Sequence, residues 1–385
     1  MVSYMLFTAH PLNFAERKAL DEIEKIRDSI KYALSVPQRW LGLLRRNTFA
    51  RCIRGSNSIE GYNVSAEDAI AAVEREEPLE AERETWAAVN GYRGAMTYVL
   101  QLAKDPHFSY NEGFLRSLHY MMLSYDLSKH PGCWRPGPIY VRDEPKNEIV
   151  YEGPDAETIP ELVRALIRSL NREDGHHAMV RAAMGHLNLV MIHPFSDGNG
   201  RMARCLQTLI LAREGILESQ FCSIEEYLGR NTQEYYNVLA KVGQRKWSPS
   251  NDARSWIHFC LTAHYRQAAT LLRRTKEIER IWNELEIEAR KRGLPERTIL
   301  ALSDATIGLR IRNATYRSAA MITDTLASRD LRELVKHGLL VPDGEKRGRA
   351  YLGAKILKDI RERTREPKTP DPVLWADPYL PGLEP

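Results

Sequence analysis

The run His193-Pro194-Phe195-Ser196-Asp197-Gly198-Asn199-Gly200-Arg201-Met202-Ala203-Arg204 decides how the rest of this chain is read. Imidazole titrates near neutral pH, so His193 is a candidate general base. Asp197 supplies the hard carboxylate oxygens that Mg²⁺ prefers. Gly198-Asn199-Gly200 lets the backbone turn tightly and present N–H groups to an anion. From Arg201 an apolar periodicity (Met202, Leu206, Leu209, Ile210) predicts a helix. The glycines then lie at a helix N-terminus, where the dipole and free N–H groups favour phosphate. Arg201 and Arg204 are three apart, so both reach that end. Taken singly, His-Pro is an ordinary helix terminus and Gly-Asn-Gly an ordinary turn. Together they describe a phosphate site that is neither a Walker A loop nor a dinucleotide-binding G-x-G-x-x-G turn.

Upstream of the run, a helix over about 177–192 (Val180, Met184, Leu187, Val190, Met191) delivers His193. His186 lies on it and reads as a packed structural histidine. No H-E-x-x-H occurs, and the histidines at 176, 177, 186 and 193 lack zincin spacing. Further upstream, 131–160 is rich in Pro and Gly, with two β-prone runs, Ile139-Tyr140-Val141 and Ile149-Val150-Tyr151. The turn-like Asp143-Glu144-Pro145-Lys146-Asn147 joins them, which predicts a β-hairpin. The first hundred residues read as helices: 15–34, then one opened by Pro37 and running to about Glu60, then one capped by Ser65 with Asp68. Gly61 stands where a C′ glycine is expected. Helices over 81–102, 111–123 and 159–170 complete the upstream part.

Downstream, 223–240 reads as helical and contains Tyr235-Tyr236, an aromatic pair of the kind that usually packs in a core. The stretch 252–292 has no internal Gly or Pro and predicts a long helix, ended by Gly293 and Pro295. The segments 313–320 and 324–336 then read as two helices joined by a short turn. Beyond them, Gly338-Leu339-Leu340-Val341 and Ala350-Tyr351-Leu352 flank a basic loop. Arg329, Arg332, Lys336, Lys346, Arg347 and Arg349 could meet phosphates there, with Asp324, Asp330 and Glu333 diluting the face. The proline-rich tail, 361–385, reads as disordered or loosely docked.

The motif at 193–204 resembles the signature of the Fic family, H-P-F-x-[DE]-G-N-[GK]-R-x-x-R, at every fixed position. The resemblance implies a mainly α fold: a Fic-type helical bundle with a β-hairpin flap, plus a C-terminal winged helix-turn-helix domain. On it the chain divides into an N-terminal helical region (1–105), a catalytic domain (106–292) with the flap at about 137–153, a winged-helix-like domain (295–360) and the tail. The implied activity is transfer of AMP from ATP to a Ser, Thr or Tyr hydroxyl of a protein, with ATP as co-substrate and Mg²⁺ as cofactor. His193 would be the base and Asp197 the metal ligand. Gly198, Asn199, Gly200, Arg201 and Arg204 would hold phosphate. Tyr235 and Tyr236 would lie at the adenine pocket, which of them faces adenine being open. Ile139, Tyr140 and Val141 would pin a target peptide by strand addition.

The resemblance adds a regulatory expectation. Ser56-Asn57-Ser58-Ile59-Glu60-Gly61 fits [ST]-x-x-x-E-[GN]; alone, it reads as a polar helix end. In a Fic protein it looks like the inhibitory helix, here about 37–61, with Ser56, Glu60 and Gly61 as its motif. Glu60 would then pair with Arg204, and Arg–carboxylate pairs form strong bidentate bonds. The alternative function is a DNA-binding regulator whose Fic domain senses nucleotide or removes AMP.

Composition bounds these readings. With 55 basic and 51 acidic residues the net charge is +4, too balanced for nucleic-acid binding over the whole surface. Five scattered cysteines without a C-x-x-C pair suit free thiols in a reducing compartment. The expectation is a cytoplasmic protein without a signal peptide or membrane span. Its expected partners are ATP, a target protein that could be the chain itself, DNA through 295–360, and a second copy in a homodimer.

Overall fold

The computed structural model describes residues 5–35, 38–143, 148–172, 175–215, 221, 223–344 and 349–368. Pro37, the hairpin turn at 144–147, Cys222, Lys346 and Arg347, and the tail from 369 lie outside the described residues.

Helices dominate. α1 (Phe14–Leu34) opens with Asn13 and Glu16 in a reciprocal capping box. α2 (Leu41–Ile59) begins after the buried Trp40, a few residues later than expected. α3 (Ala66–Glu74) is capped by the Ser65 hydroxyl, which accepts from the Asp68 N–H. α4 (Arg83–Leu102) and α5 (Glu112–Leu123) follow. Strands β1 (Tyr140–Asp143) and β2 (Glu148–Glu152) precede α6 (Ile159–Leu170), α7 (Ala178–Ile192) and α8 (Asn199–Arg213). α9 (Glu225–Arg230), α10 (Thr232–Gly243) and the two-residue β3 (Arg245–Lys246) lead into α11 (Arg254–Lys291).

α7 and α8 form the central hairpin. α8 buries every residue from Arg201 to Ala212, and it packs on α7, α4 and α2. A helix buried on all faces sits in the middle of its bundle. The two arginines of the motif are therefore core residues. The stretch 223–240, expected as one helical segment, breaks at Asn231, whose carboxamide donates to the Tyr227 carbonyl at 2.8 Å. Such side-chain bonds compete with the helical ladder.

β1 pairs antiparallel with β2, Tyr140 opposite Glu152 and Asp143 opposite Glu148, with a register shift between Val141 and Arg142. β2 also pairs parallel with β3, so β1 is one edge of this small sheet and the two-residue β3 the other. The buried Tyr151 donates its hydroxyl to the Met191 carbonyl at 2.7 Å, tying the sheet to the end of α7.

The C-terminal unit runs α12 (Thr298–Thr306), α13 (Asn313–Ala320), α14 (Asp324–Lys336), the antiparallel pair β4 (Leu340–Asp343) and β5 (Ala350–Gly353), and α15 (Lys355–Thr364). α15 runs past the boundary drawn at 360 and packs on α11 and α12. The unit rests on the N-terminal helices through charge. Arg46 Nη2 holds both Asp304 oxygens at 2.5 and 2.6 Å, and Arg310 and Arg317 hold Glu80 and Glu76.

Candidate active site

The site is built at the turn between α7 and α8. His193 ends α7 in the left-handed region (φ 52°), a conformation uncommon outside glycine. The turn is held from three sides. Arg135, buried, donates from Nε to the His193 carbonyl at 2.8 Å, and its own N–H donates to the Pro194 carbonyl at 2.9 Å. The same guanidinium binds the carbonyls of Gly137 and Pro154, so one arginine joins the hairpin's base to the His-Pro turn. Phe195 is fully buried and stacks on His119 of α5 with ring centroids 3.7 Å apart. The Asn199 side chain clips the Phe195 backbone, donating to its carbonyl at 2.8 Å and accepting its N–H at 3.0 Å. Asn199 therefore shapes the loop with its side chain and faces an anion only through its backbone.

His119 is the second framing residue. Its Nδ1 accepts the Gly132 N–H at 2.8 Å, so Nε2 carries the proton and donates to the Asp197 carbonyl at 3.0 Å. Burial pushes its pKa down to about 4, which keeps this neutral tautomer in place. Gly198 is next (φ 77°); a methyl there would press on Leu123 and on the His119 ring. Its N–H is taken by Asp197 Oδ1 at 2.6 Å. The N–H groups free for an anion are thus those of the first turn of α8, from Asn199, Gly200 and Arg201.

Three groups have the chemistry of a reaction centre. His193 Nδ1–H donates to the Val190 carbonyl at 2.9 Å, which leaves Nε2 with its lone pair free to take a proton. Burial lowers its pKa, so the imidazole is neutral at pH 7. Asp197 is more than one third exposed, and its Oδ2 lies 3.1 Å from Lys129 Nζ and 3.8 Å from Arg201 Nη2. Burial favours its neutral form, but Arg201, Lys129 and the Gly198 N–H outweigh that and hold the carboxyl below its usual range. Arg201 is buried with Nε and Nη1 lacking any hydrogen-bond partner, and it lies 5.2 Å from the centroid of the Tyr62 ring. Buried donors without acceptors are costly, and an anion would satisfy them.

Arg204, one turn on, is occupied. Its Nε donates to Ser56 Oγ at 2.7 Å, and its Nη2 to the Ser56 carbonyl at 3.0 Å and to Glu60 Oε1 at 2.7 Å. Burial works against its charge, but Glu60 and the surrounding hydroxyls more than restore it, and its pKa is raised. Only Nη1 is without a partner. Gly61 (φ 84°) ends α2 as the expected C′ glycine. The Tyr62 N–H bonds to Asn57 and the Gly61 N–H to Ser58, the paired bonds of a Schellman turn. That turn aims Glu60 at α8, where a methyl on Gly200 would overlap its carboxylate.

Tyr235 and Tyr236 part company. Tyr235 is buried among His186, Trp256 and Phe259, with its hydroxyl 2.9 Å from His186 Nε2. Tyr235 thus sits in the core beside Arg204. Tyr236 is 42% exposed and donates to the Ile59 carbonyl at 3.1 Å. His186 is the packed histidine expected, fully buried and bonded to Gln207, its pKa pushed down to about 3 by burial. On the flap, Tyr140 is exposed while Ile139 and Val141 are half-buried.

Arg135, His119, Lys129 and Tyr62 were not read from the sequence as site residues. His119 does leave a trace, a histidine on the apolar stripe Phe114, Leu115, Leu118, Met122. Nothing local marks Lys129, which lies between the Tyr62 and Tyr125 rings, 5.6 Å from each centroid. As for a metal, no group of three or more His, Cys, Asp or Glu is found among the described residues. Mg²⁺ is commonly held by one or two carboxylates plus substrate phosphates, and the ionised, accessible Asp197 beside unpaired Arg201 donors fits that pattern.

Residues 109–211 match the Fic/DOC family. Among curated proteins, the chain is similar to the protein adenylyltransferase Fic of Nematostella vectensis, 28% identical over 205 residues (52% of this chain, 46% of that protein). It is also similar to that of Culex quinquefasciatus, 25% identical over 280 residues (70% and 51%). The chain thus spans about half the length of these relatives. Among solved structures, a Fic family protein from Desulfovibrio desulfuricans G20 shares the fold, with a TM-score of 0.57 at 21% identity over 91% of this chain and 99% of the other. Fic-1 from C. elegans gives 0.54 at 22% over 67% and 72%. Residues 109–211 are therefore a Fic/DOC family domain, set in a mainly helical frame that continues on both sides of it.

Proposed function

We propose that the chain is a protein adenylyltransferase that transfers AMP from ATP to a Ser, Thr or Tyr hydroxyl of a target protein and is held in check by Glu60. The observation that carries this is the meeting, at one helix N-terminus, of a neutral imidazole with a free Nε2, an ionised carboxylate and a buried guanidinium with unpaired donors. The hydroxyl oxygen attacks the α-phosphorus, the bond to the β-phosphate breaks, and pyrophosphate leaves. His193 Nε2 takes the hydroxyl proton. The first-turn N–H groups of α8 and Arg201 neutralise charge on the phosphates, a contribution of positioning and electrostatics. Asp197 would hold Mg²⁺, which supplies charge neutralisation on the phosphates when bound. The open edge of β1 beside this turn offers backbone pairing to an extended target segment.

Glu60 occupies the guanidinium that the far end of the triphosphate would need. ATP bound beside it would be turned away from in-line attack. The test is incubation with α-³²P-ATP and Mg²⁺, comparing wild type, Glu60→Gly and Glu60→Gly/His193→Ala. Label that rises in the first variant and disappears in the second is expected. A well-folded double variant that still labels would end the His193 mechanism.

A nucleic-acid role for the C-terminal unit also has support. Arg329, Arg332 and Lys336 are exposed along α14. Asp330, one of the acids expected to dilute that face, is buried under Arg297 instead. DNA binding that falls steeply with salt and weakens in Arg329→Ala/Arg332→Ala would support this role; salt-independent or absent binding would dismiss it.

A further inference from the structure

Behind the helix that carries Glu60 lies a cleft of about 340 Å³, apart from the site just described. Its walls are α2, the start of α3, and α9. Around α2 each residue advances about 100°, so the nine steps from Arg51 to Glu60 place them on opposite faces. Asn47, Arg51, Arg54 and Ser58 line the cleft from the back of the same helix whose front holds Arg204. Where α2 and α9 cross, Gly55 and Gly229 meet backbone to backbone, so the two helices cannot move closer.

The charges in the cleft do not balance. Glu226 is its carboxylate, but Arg274 grips it with two bonds of 2.6 and 2.7 Å and Arg230 with a third contact of 2.6 Å. Asp304, nearby, is held by Arg46. Arg54 donates its Nε to the Val64 carbonyl at 3.0 Å. Among the described residues Arg51 has neither an ion pair nor a hydrogen bond. Burial, with Arg274 and Arg230 close by, pushes its pKa down to about 10, and Glu226 and Asp304 oppose the fall only in part. A guanidinium held in a recess among like charges is stabilised by an anion. Ile70 and Leu309 provide apolar wall beside these arginines, which suits a ligand with an apolar body.

We propose that this cleft binds a small organic phosphate, its phosphate on Arg51, Arg54 and Arg230, and that occupancy is transmitted through α2 to the Glu60–Arg204 contact. The transmission rests on reading Glu60 as the brake; the binding site does not.

Calorimetric titration of the full chain with phenyl phosphate, in saturating α,β-methylene-ATP so that the α8 site is filled, tests the first half. Wild type should bind at one site, and Arg51→Gln at least tenfold more weakly. Because Arg51 makes no hydrogen bond or ion pair among the described residues, Arg51→Gln should melt no lower than wild type without ligand and lose the rise in melting temperature that phenyl phosphate gives. No binding by wild type, equal binding by Arg51→Gln, or binding of an acidic peptide in place of the phosphate would overturn the site. For the second half, phenyl phosphate should change the affinity for α,β-methylene-ATP at least threefold in wild type and leave it unchanged in Glu60→Gly, the coupling being reciprocal. An unchanged affinity in wild type would overturn the transmission. The brake itself is judged separately, by the labelling rate of Glu60→Gly.

Discussion

Arg201 and Arg204 leave one helix three residues apart, and both are buried, yet their surroundings are opposite. Around Arg201 the protein supplies an aromatic face and a distant carboxylate and leaves two donors without acceptors. Around Arg204 it supplies a hydroxyl, a carbonyl and a carboxylate within 3.0 Å. The first region is shaped for a ligand the chain does not contain. The second is filled by the chain itself. On the function proposed above, the contrast means that the chemical end of the site is built in advance and the tail end is closed. The partner that closes it comes from a helix well over a hundred residues away in sequence.

The largest effect should come from the built end. In the Glu60→Gly background, His193→Ala should lower the labelling rate by ~10²–10⁴-fold, the usual contribution of a general base. With His193 intact, the log rate of Glu60→Gly against pH should rise to a plateau with a midpoint below 6.5, since burial lowers the His193 pKa. A midpoint above 6.5 would assign the proton transfer elsewhere.

Opening the closed end comes next. Glu60→Gly should raise labelling by at least tenfold while costing roughly 1.5–3 kcal/mol of stability, the scale of one lost charged hydrogen bond. Chemical denaturation and labelling on the same sample separate the two readings. A helix end with no regulatory part would give the stability loss alone.

The acid between these regions sharpens the contrast. Asp197→Ala should remove the Mg²⁺ dependence of ATP affinity measured by calorimetry. Lys129→Met should lower the Mg²⁺ concentration for half-saturation a few-fold, because its ammonium lies 3.1 Å from the carboxylate oxygen offered to the metal. A shift in the opposite direction would mean that Lys129 supports the ion instead of competing with it.

The smallest effect concerns the frame. His119 has an ordinary pKa of 6.5 and a folded value of about 4. The unfolded chain therefore takes up a proton that the folded one refuses between these values, and stability should fall as pH drops from 6.5 to 4. His119→Gln should flatten this part of the profile in denaturant titrations, leaving the shares due to His186, His193 and His264. An unchanged slope would show that His119 is not held neutral by its place against the loop.

Much of this was legible early because it is local. The apolar period after Arg201, the glycine after Glu60 and the Ser65 cap are decided within a turn or two of helix, and the helices appear where these signals put them. The exceptions have local causes of another kind: Asn231 turns its amide onto the backbone and breaks a helix. Tyr235 and Tyr236 are adjacent and chemically alike, and only the packing of α10 on α11 sends one inward to Trp256 and leaves the other exposed.

By itself the sequence determined the helices, the hairpin and the chemical inventory of the motif, since periodicity, caps and residue types act over short stretches. It placed His193, Asp197 and both arginines at one helix start. The tertiary structure alone decided which donors are left unpaired, that Arg135 fastens the hairpin to the His-Pro turn, and that His119 holds the loop from another helix. It also decided that Arg51 faces a cleft whose lining carboxylate, Glu226, is already gripped by Arg274 and Arg230. These are properties of charge and hydrogen bonding in the interior. They depend on which distant groups arrive within about 3 Å, where an interaction in a medium of low dielectric is strong enough to matter.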